Sequence, residues 1–265
     1  MSYLKNSRTA ESDPASLQGF DPASLEGDPA LVAEDAITTL RPFGADVPGS
    51  LAPSLGAEAT SDEDHALWRA RSLAAAGKRL EALQVVRHQL QQTGASSELR
   101  LFLAWLLEQG GELSEAIVEL STALEGTADP VPIRVRRGAL YARLGRTAEA
   151  ETDLRRAVLE RPDHQQAHVQ LGIALVRRGV PAEAAVALRE GLRLDATDAD
   201  ATYYLGEALL AQGDLKEALG MLQRAAAMTP DNPRSYMLLG RLLDKIGLAD
   251  EAMAMHKKAR EVAIK

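Results

Sequence analysis

The chain of 265 residues contains no cysteine. Disulfides, thiolate metal sites, iron–sulfur clusters, a cysteine nucleophile and cysteine-linked lipid anchors are therefore excluded. Aromatic residues make up only 4%, so a core has to be built from aliphatic side chains, chiefly alanine and leucine. The 20 glycines and 12 prolines are too few for a collagen-like or wholly disordered chain. No apolar run approaches the roughly 18 residues that a membrane-spanning helix needs. The opening residues Met1 to Asn6 lack the apolar stretch of a secretory leader. A basic excess is missing too. The net charge is −8, which argues against a dedicated nucleic-acid binder, because neutralising phosphates takes surplus Lys and Arg. By elimination the sequence reads as a soluble, cytoplasmic protein. Its 46% apolar and 26% charged residues are ordinary for a globular chain.

The charge that is present is unevenly spread. Residues 1–62 hold three basic and ten acidic groups, a net −7, whereas 63–265 are nearly balanced. The first stretch is also rich in Pro, Gly and Ser and poor in long apolar periods. A boundary is expected near residue 62, with a largely disordered acidic tail before it.

After that boundary the sequence repeats. Gly77, Gly111, Gly145, Gly179, Gly213 and Gly247 recur every 34 residues, and so do Ala82, Ala116, Ala150, Ala184, Ala218 and Ala252. A third register holds Ala70, Ala104, Gly138, Gly172, Gly206 and Gly240. A further register of Val86, Leu120, Leu154, Leu188 and Leu222 breaks at His256. A strict period of this length is the mark of a stacked-repeat architecture. Each unit reads as two helices. In the fifth, Gly213 stands where a helix needs a left-handed residue to stop. Leu215 to Leu219 open a second helix, and Pro230 and Pro233 end it. Small residues such as Gly206 and Ala218 are expected where the two helices cross. One hairpin cannot bury its apolar face alone, but stacked neighbours can.

These residues resemble the tetratricopeptide repeat family. Leu205, Gly206, Leu209, Gly213, Ala218, Leu222, Ala225 and Pro230 all fall on its consensus places. The resemblance covers 63–265 as six repeats, at 63–96, 97–130, 131–164, 165–198, 199–232 and 233–265. It implies an all-α fold, a right-handed superhelix (α-solenoid) of helix-turn-helix repeats. Departures occur at Arg69 and Arg137, where the consensus has Leu, and at Gln89, where it has Ala. The first repeat departs most and is the candidate cap. At the other end His256, Lys257, Lys258, Glu261 and Lys265 make the last helix polar, in place of the solvating helix with which the family often ends.

In such arrays the first helices line a concave wall, so the resemblance names a peptide-binding groove. Its expected residues are Leu67 and Arg71; Leu101, Trp105 and Glu108; Val135 and Arg143; Val169, Ile173 and Arg177; Tyr203, Glu207 and Leu210; and Met237, Arg241, Asp244 and Lys245. Phe102 and Tyr204 lie at its edge. An apolar floor with Arg side chains fits an extended or helical peptide carrying acidic and apolar residues, with Trp105 as anchor. Some family members hold a chaperone's C-terminal carboxylate through paired Asn and basic groups. This chain has only Asn6 and Asn232, neither in the groove, so that clamp is absent.

The tail has its own grammar. Asp13-Pro14-Ala15-Ser16-Leu17 recurs at once as Asp21-Pro22-Ala23-Ser24-Leu25, and Asp28-Pro29-Ala30 starts a third time. Asp suits a helix cap and Pro the first helical position. The third start leads into a short amphipathic helix at 29–40, with Ala33, Ala36, Ile37 and Leu40 on one face. Leu17, Phe20, Leu25, Ile37, Leu40 and Phe43 are the docking residues this pattern offers. The acidic tail either contacts a second partner or lies in the cationic groove of its own or a neighbouring copy.

Chemistry is sparse. His164 and His168 stand at a metal-ligand spacing, but no metalloprotease glutamate accompanies them, and chance placement is the better account. No phosphate loop and no catalytic constellation is present. The sequence therefore reads as a non-enzymatic scaffold or adaptor without metal or cofactor. Its partners are proteins held in groove and tail, without nucleic acid or membrane insertion; homo-oligomerisation stays open. A bacterial secretion, pilus, motility or regulatory assembly is the expected setting. The alternatives are an RNA-binding helical-repeat protein, against which the acidic balance counts, and the regulatory subunit of an enzyme on another chain.

Overall fold

The computed structural model describes residues 62–94 and 96–264. The expected tail helix at 29–40 and the six tail docking residues lie outside the described residues. Among the described residues there are twelve helices and no strand. They are α1 (Asp62–Ala75), α2 (Arg79–Thr93), α3 (Ser97–Gln109), α4 (Leu113–Glu125), α5 (Val131–Arg143), α6 (Thr147–Glu160), α7 (Gln165–Arg178), α8 (Pro181–Leu194), α9 (Ala199–Gln212), α10 (Leu215–Met228), α11 (Pro233–Ile246) and α12 (Ala249–Ile264). The fold is all-α, built of tetratricopeptide-type helical hairpins.

Local chemistry starts and stops these helices. Ser96 and Asp198 cap α3 and α9, their side-chain oxygens accepting the amides of Leu99 at 3.2 Å and Ala201 at 2.7 Å. Asn232 does the same for α11, and Pro233 occupies the first helical turn. At the end of α9, Gly213 takes φ 90°, in the left-handed region. Its amide donates to Leu210 O and that of Asp214 to Leu209 O, at 3.2 and 3.0 Å. This paired closure satisfies carbonyls that the helix end would otherwise leave open. Positive φ recurs at all six glycines of that register, so the 34-residue period is a period of helix stops.

The described residues divide into two compact units, one ending at Gln170 and the other beginning at Leu171, inside α7. In the first, each helix from α1 to α6 packs on its neighbour in sequence, and α1 also touches α3. The core is a leucine and alanine stack in which Leu99, Leu106, Leu107, Leu120, Leu140 and Leu154 are almost wholly buried. In the second unit α8 packs on α9, α9 on α10, α10 on α11 and α11 on α12, around Leu188, Leu209, Leu222 and Leu239.

In the third, fourth and fifth hairpins a leucine of the second helix lies on a glycine of the first. A Cβ at position 172 would stand 2.4 Å from Leu188 Cγ, and one at 206 would stand 2.7 Å from Leu222 Cγ. The close partner of Gly206 is thus Leu222, one turn beyond Ala218. Gly172→Ala is therefore expected to destabilise the second unit by about 1–3 kcal/mol, because a branched carbon rather than a flexible tip has to move. A urea midpoint unchanged from wild type would contradict this.

Two irregularities of the sequence acquire reasons. His256, which breaks the leucine register, lays its ring on Gly240 in place of a leucine, and its Nε2 bonds Asp244 Oδ2 at 2.9 Å. Arg137, at a consensus Leu place, donates from Nε and Nη2 to the two carboxylate oxygens of Asp153, at 2.6 and 2.8 Å. Its Nη1 reaches Ser121 Oγ at 2.9 Å. The Asp153 hydrogen bond, opposed by burial, raises the Arg137 pKa. A charged pair thus fills the place of an apolar contact, and Asp153 is only 4% exposed.

Candidate functional site

The candidate site is the set of first-helix side chains, and it is described unit by unit. In the first unit, Trp105 of α3 is half-buried and its ring stacks on Phe102, with centroids 5.5 Å apart. The stack fixes the indole at low entropic cost, since both rings are held by the helix that carries them. One turn further on lies Glu108, only 8% exposed. Its Oε2 accepts from Arg136 Nε and Nη2 of α5, at 3.2 and 3.0 Å, and its Oε1 accepts from Arg143 Nη1. Burial pushes the Arg136 guanidinium below its ordinary value, and the carboxylate of Glu108 works against that shift. One carboxylate between two guanidiniums leaves a net positive charge. Arg143 is the more exposed of the two and presents that charge outward. Arg71 of α1 donates to Glu98 of α3 at 3.2 Å, so its charge is largely matched.

The second unit has a different texture. Tyr203 of α9 is half-buried and meets Tyr204 edge to face, at 5.1 Å. Arg234 of α11 stands over the Tyr203 ring at 5.0 Å and donates to the Tyr204 hydroxyl at 3.2 Å. Burial first, and then the nearby charge of Glu207, raise the Tyr203 pKa, with Arg234 opposing. Further along α11, Met237 is 54% exposed, and Arg241 and Lys245 are exposed. Spacings of three and four put Arg234, Met237, Arg241 and Lys245 on one stripe of the helix. Asp244, beside that stripe, is bonded to His256. Leu210 and Glu207 are half-buried, and Arg177 is exposed.

Four of the expected groove residues, Leu67, Val135, Val169 and Ile173, are buried. Their short aliphatic side chains belong to the packing beneath the first helices rather than to an open surface. Glu108 is buried for another reason, because Arg136 and Arg143 close over it. Leu101 is partly buried within the first unit's core. The sequence reading overlooked Arg136, Arg234 and Glu98, each of which holds or neutralises an expected groove residue. Arg136 shares a 34-residue column with Trp68, Phe102, Tyr204 and Leu238, so a cation standing in an otherwise largely apolar column was the available signal.

The two histidines at metal-ligand spacing have structural partners. His164 Nδ1 accepts the Ala167 amide at 3.2 Å, and His168 Nε2 bonds the Pro162 carbonyl at 2.8 Å. Among the described residues no three metal-ligating side chains cluster, and no helix is long and apolar enough to cross a membrane.

Comparison with known proteins agrees with this architecture. Tetratricopeptide repeat models match residues 135–199, 175–242 and 209–263. No curated protein matches the chain. A tetratricopeptide repeat protein from Parabacteroides merdae is similar in structure, with TM-score 0.65, 20% identity, and coverage of 75% of this chain and 78% of that one. MamA is similar with TM-score 0.53, 25% identity, and coverage of 61% and 94%. YrrB, a TPR protein with an unusual peptide-binding site, is similar with TM-score 0.53, 21% identity, and coverage of 67% and 91%. Proteins of this fold are generally non-catalytic scaffolds for protein partners. The six-fold register of helix stops, the hairpins it encodes and these matches together make the chain a member of the tetratricopeptide repeat family.

Proposed function

We propose that the chain is a non-enzymatic adaptor whose first-helix faces bind a peptide segment carrying acidic and apolar residues. The observation that carries this reading is the pairing of an anchored aromatic ring with an outward guanidinium. It occurs as Tyr203 beneath Arg234 in one unit, and in the other as Trp105, stacked on Phe102, one helical turn before the Glu108 that holds Arg143. An aromatic side chain takes an apolar contact, and a guanidinium takes a carboxylate in a planar, directional way. YrrB lends support as a tetratricopeptide protein with a peptide-binding site. The acidic tail serves as a second docking segment, and with its net −7 it competes for the same cations. A flexible linker of about 19 residues reaches roughly 25 Å, enough to approach a groove end. The setting is a cytoplasmic bacterial assembly of the secretion, pilus, motility or regulatory kind.

The test is titration of the full chain with fluorescent peptides of matched length, one acidic with leucines and one with its acidic residues changed to lysine. The acidic peptide is expected to bind and the basic one not to. Trp105→Ala is expected to weaken binding by at least about thirtyfold, the loss of roughly 2 kcal/mol typical of a hot spot. Equal binding of both peptides, or a Trp105→Ala variant with wild-type affinity, would refute the reading.

A further inference from the structure

One face of α1 is uncovered where every comparable face is packed. The register of Trp68 is occupied by Phe102 in α3, Tyr204 in α9 and Leu238 in α11, all buried. The register of Arg69 is occupied by Leu103, Leu205 and Leu239, also buried. In α5 the same two places show what this face meets. Arg136 reaches Glu108 on α3, and Arg137 reaches Ser121 on α4, both in the preceding hairpin. Ahead of α1 the described residues supply no such hairpin. Trp68 is accordingly 57% exposed, and Arg69 is exposed without a partner among the described residues. A tryptophan left this bare forgoes burial worth about 25 cal/mol per Å2 of apolar surface.

We infer that residues 28–40 of this same chain cover that face and cap the first repeat. The segment has the right chemistry. Ile37 and Leu40, with Ala33 and Ala36, share one face of the helix expected there, and Glu34 and Asp35 supply carboxylates for Arg69. It also has the right tether. The described chain begins at Asp62, and Trp68 lies roughly 9 Å along α1 from that point. The intervening 41–61 span roughly 25 Å when flexible, which holds the segment at millimolar effective concentration. The carboxylates of Asp62, Glu63 and Asp64 sit in the first turn of α1. The acidic groups of the segment are therefore directed toward Arg69 and away from that turn. A second copy docking head to tail is the competing occupant. The outward face of α12 would have to supply it, with Met253 exposed but Lys257 and Arg260 beside it, and those cations oppose Arg69. The inference goes beyond the groove reading. It assigns 28–40 to the end of the array and leaves the tandem motifs at 13–27 free for a partner.

The test uses the full chain with Trp105→Phe, so that Trp68 is the sole tryptophan reporter. Acrylamide quenching of Trp68 is expected to be suppressed in this parent. Ile37→Asp with Leu40→Asp is expected to raise it several-fold. In the cysteine-free background, Leu40→Cys with Ser72→Cys is expected to close an intramolecular disulfide in dilute solution. Quenching already at the level of free tryptophan in the parent would overturn the inference. So would protection that ignores the Ile37 and Leu40 changes. Protection that grows with protein concentration would assign the face to a second copy and overturn it as well.

Discussion

Glu108→Ala is expected to cost about 3–5 kcal/mol of stability, because it strips the counter-charge from a guanidinium that is largely covered. Arg136 is largely covered between α3 and α5, its side chain 12% exposed, and both of its bonded nitrogens point at Glu108 Oε2. Arg143 would be released at the same time, but it is half-exposed and regains solvent, so Arg136 dominates the loss. The effect should be local first, since a stacked array distributes stability by hairpin. Amide exchange in α3 and α5 is expected to rise before that in α9 or α11. A double-mutant cycle with Arg136→Leu separates the cause. If the uncompensated charge is responsible, the pair of changes costs far less than the sum of the two. An additive cycle, or a Glu108→Ala variant as stable as the parent, would show that the pair is not coupled. The experiment bears on function as well, because Glu108 holds Arg143 where the groove reading needs it.

A loss of about 3–5 kcal/mol is likewise expected for Asp153→Ala, and a different rescue is expected to follow. Arg137 sits in the α5–α6 contact where other repeats hold leucine, and Asp153 neutralises it through two short hydrogen bonds. Arg134 lies 3.6 Å from the same carboxylate. Removing Asp153 therefore leaves two guanidiniums facing a gap. Replacing both partners, as Arg137→Leu with Asp153→Leu, restores the apolar contact found elsewhere in the array. Such a swap is expected to be neutral or stabilising by about 1–4 kcal/mol, because the Arg137–Asp153 pair no longer has to be desolvated and Arg134 keeps its pairing with Glu160. Equilibrium unfolding in urea of the single and double variants measures both statements. A double variant no more stable than Asp153→Ala would mean that the hairpin requires the pair for its geometry.

The repeat was open to reading because its signals are local. Gly213 stops α9 by its own φ, whatever lies around it, and Asn232 with Pro233 starts α11 through bonds within a few residues. Small residues at Gly172 and Gly206 announce a close helix crossing, although their true partners, Leu188 and Leu222, needed coordinates. The surface was less legible. Leu67, Val135, Val169 and Ile173 occupy the same family of positions as Trp105 and Tyr203, yet they are buried while those two are half-exposed. A short aliphatic side chain is covered by whatever packs beside its helix, and a long or aromatic one extends past that cover.

By itself the sequence determined the all-α hairpin repeat and the helix stops. It also offered a mix of apolar and basic residues for the first-helix faces. Tertiary structure decided which cations are free to act. Pairing joins residues 27 to 35 apart in sequence, as in Arg71 with Glu98 and Arg143 with Glu108, and no local rule fixes the rotamers that bring them together. The same holds for Trp68, whose exposure depends on a neighbour that the helical period cannot supply. Periodicity encodes backbone geometry because hydrogen bonds and φ angles are local, whereas burial and charge balance are sums over neighbours from distant parts of the chain.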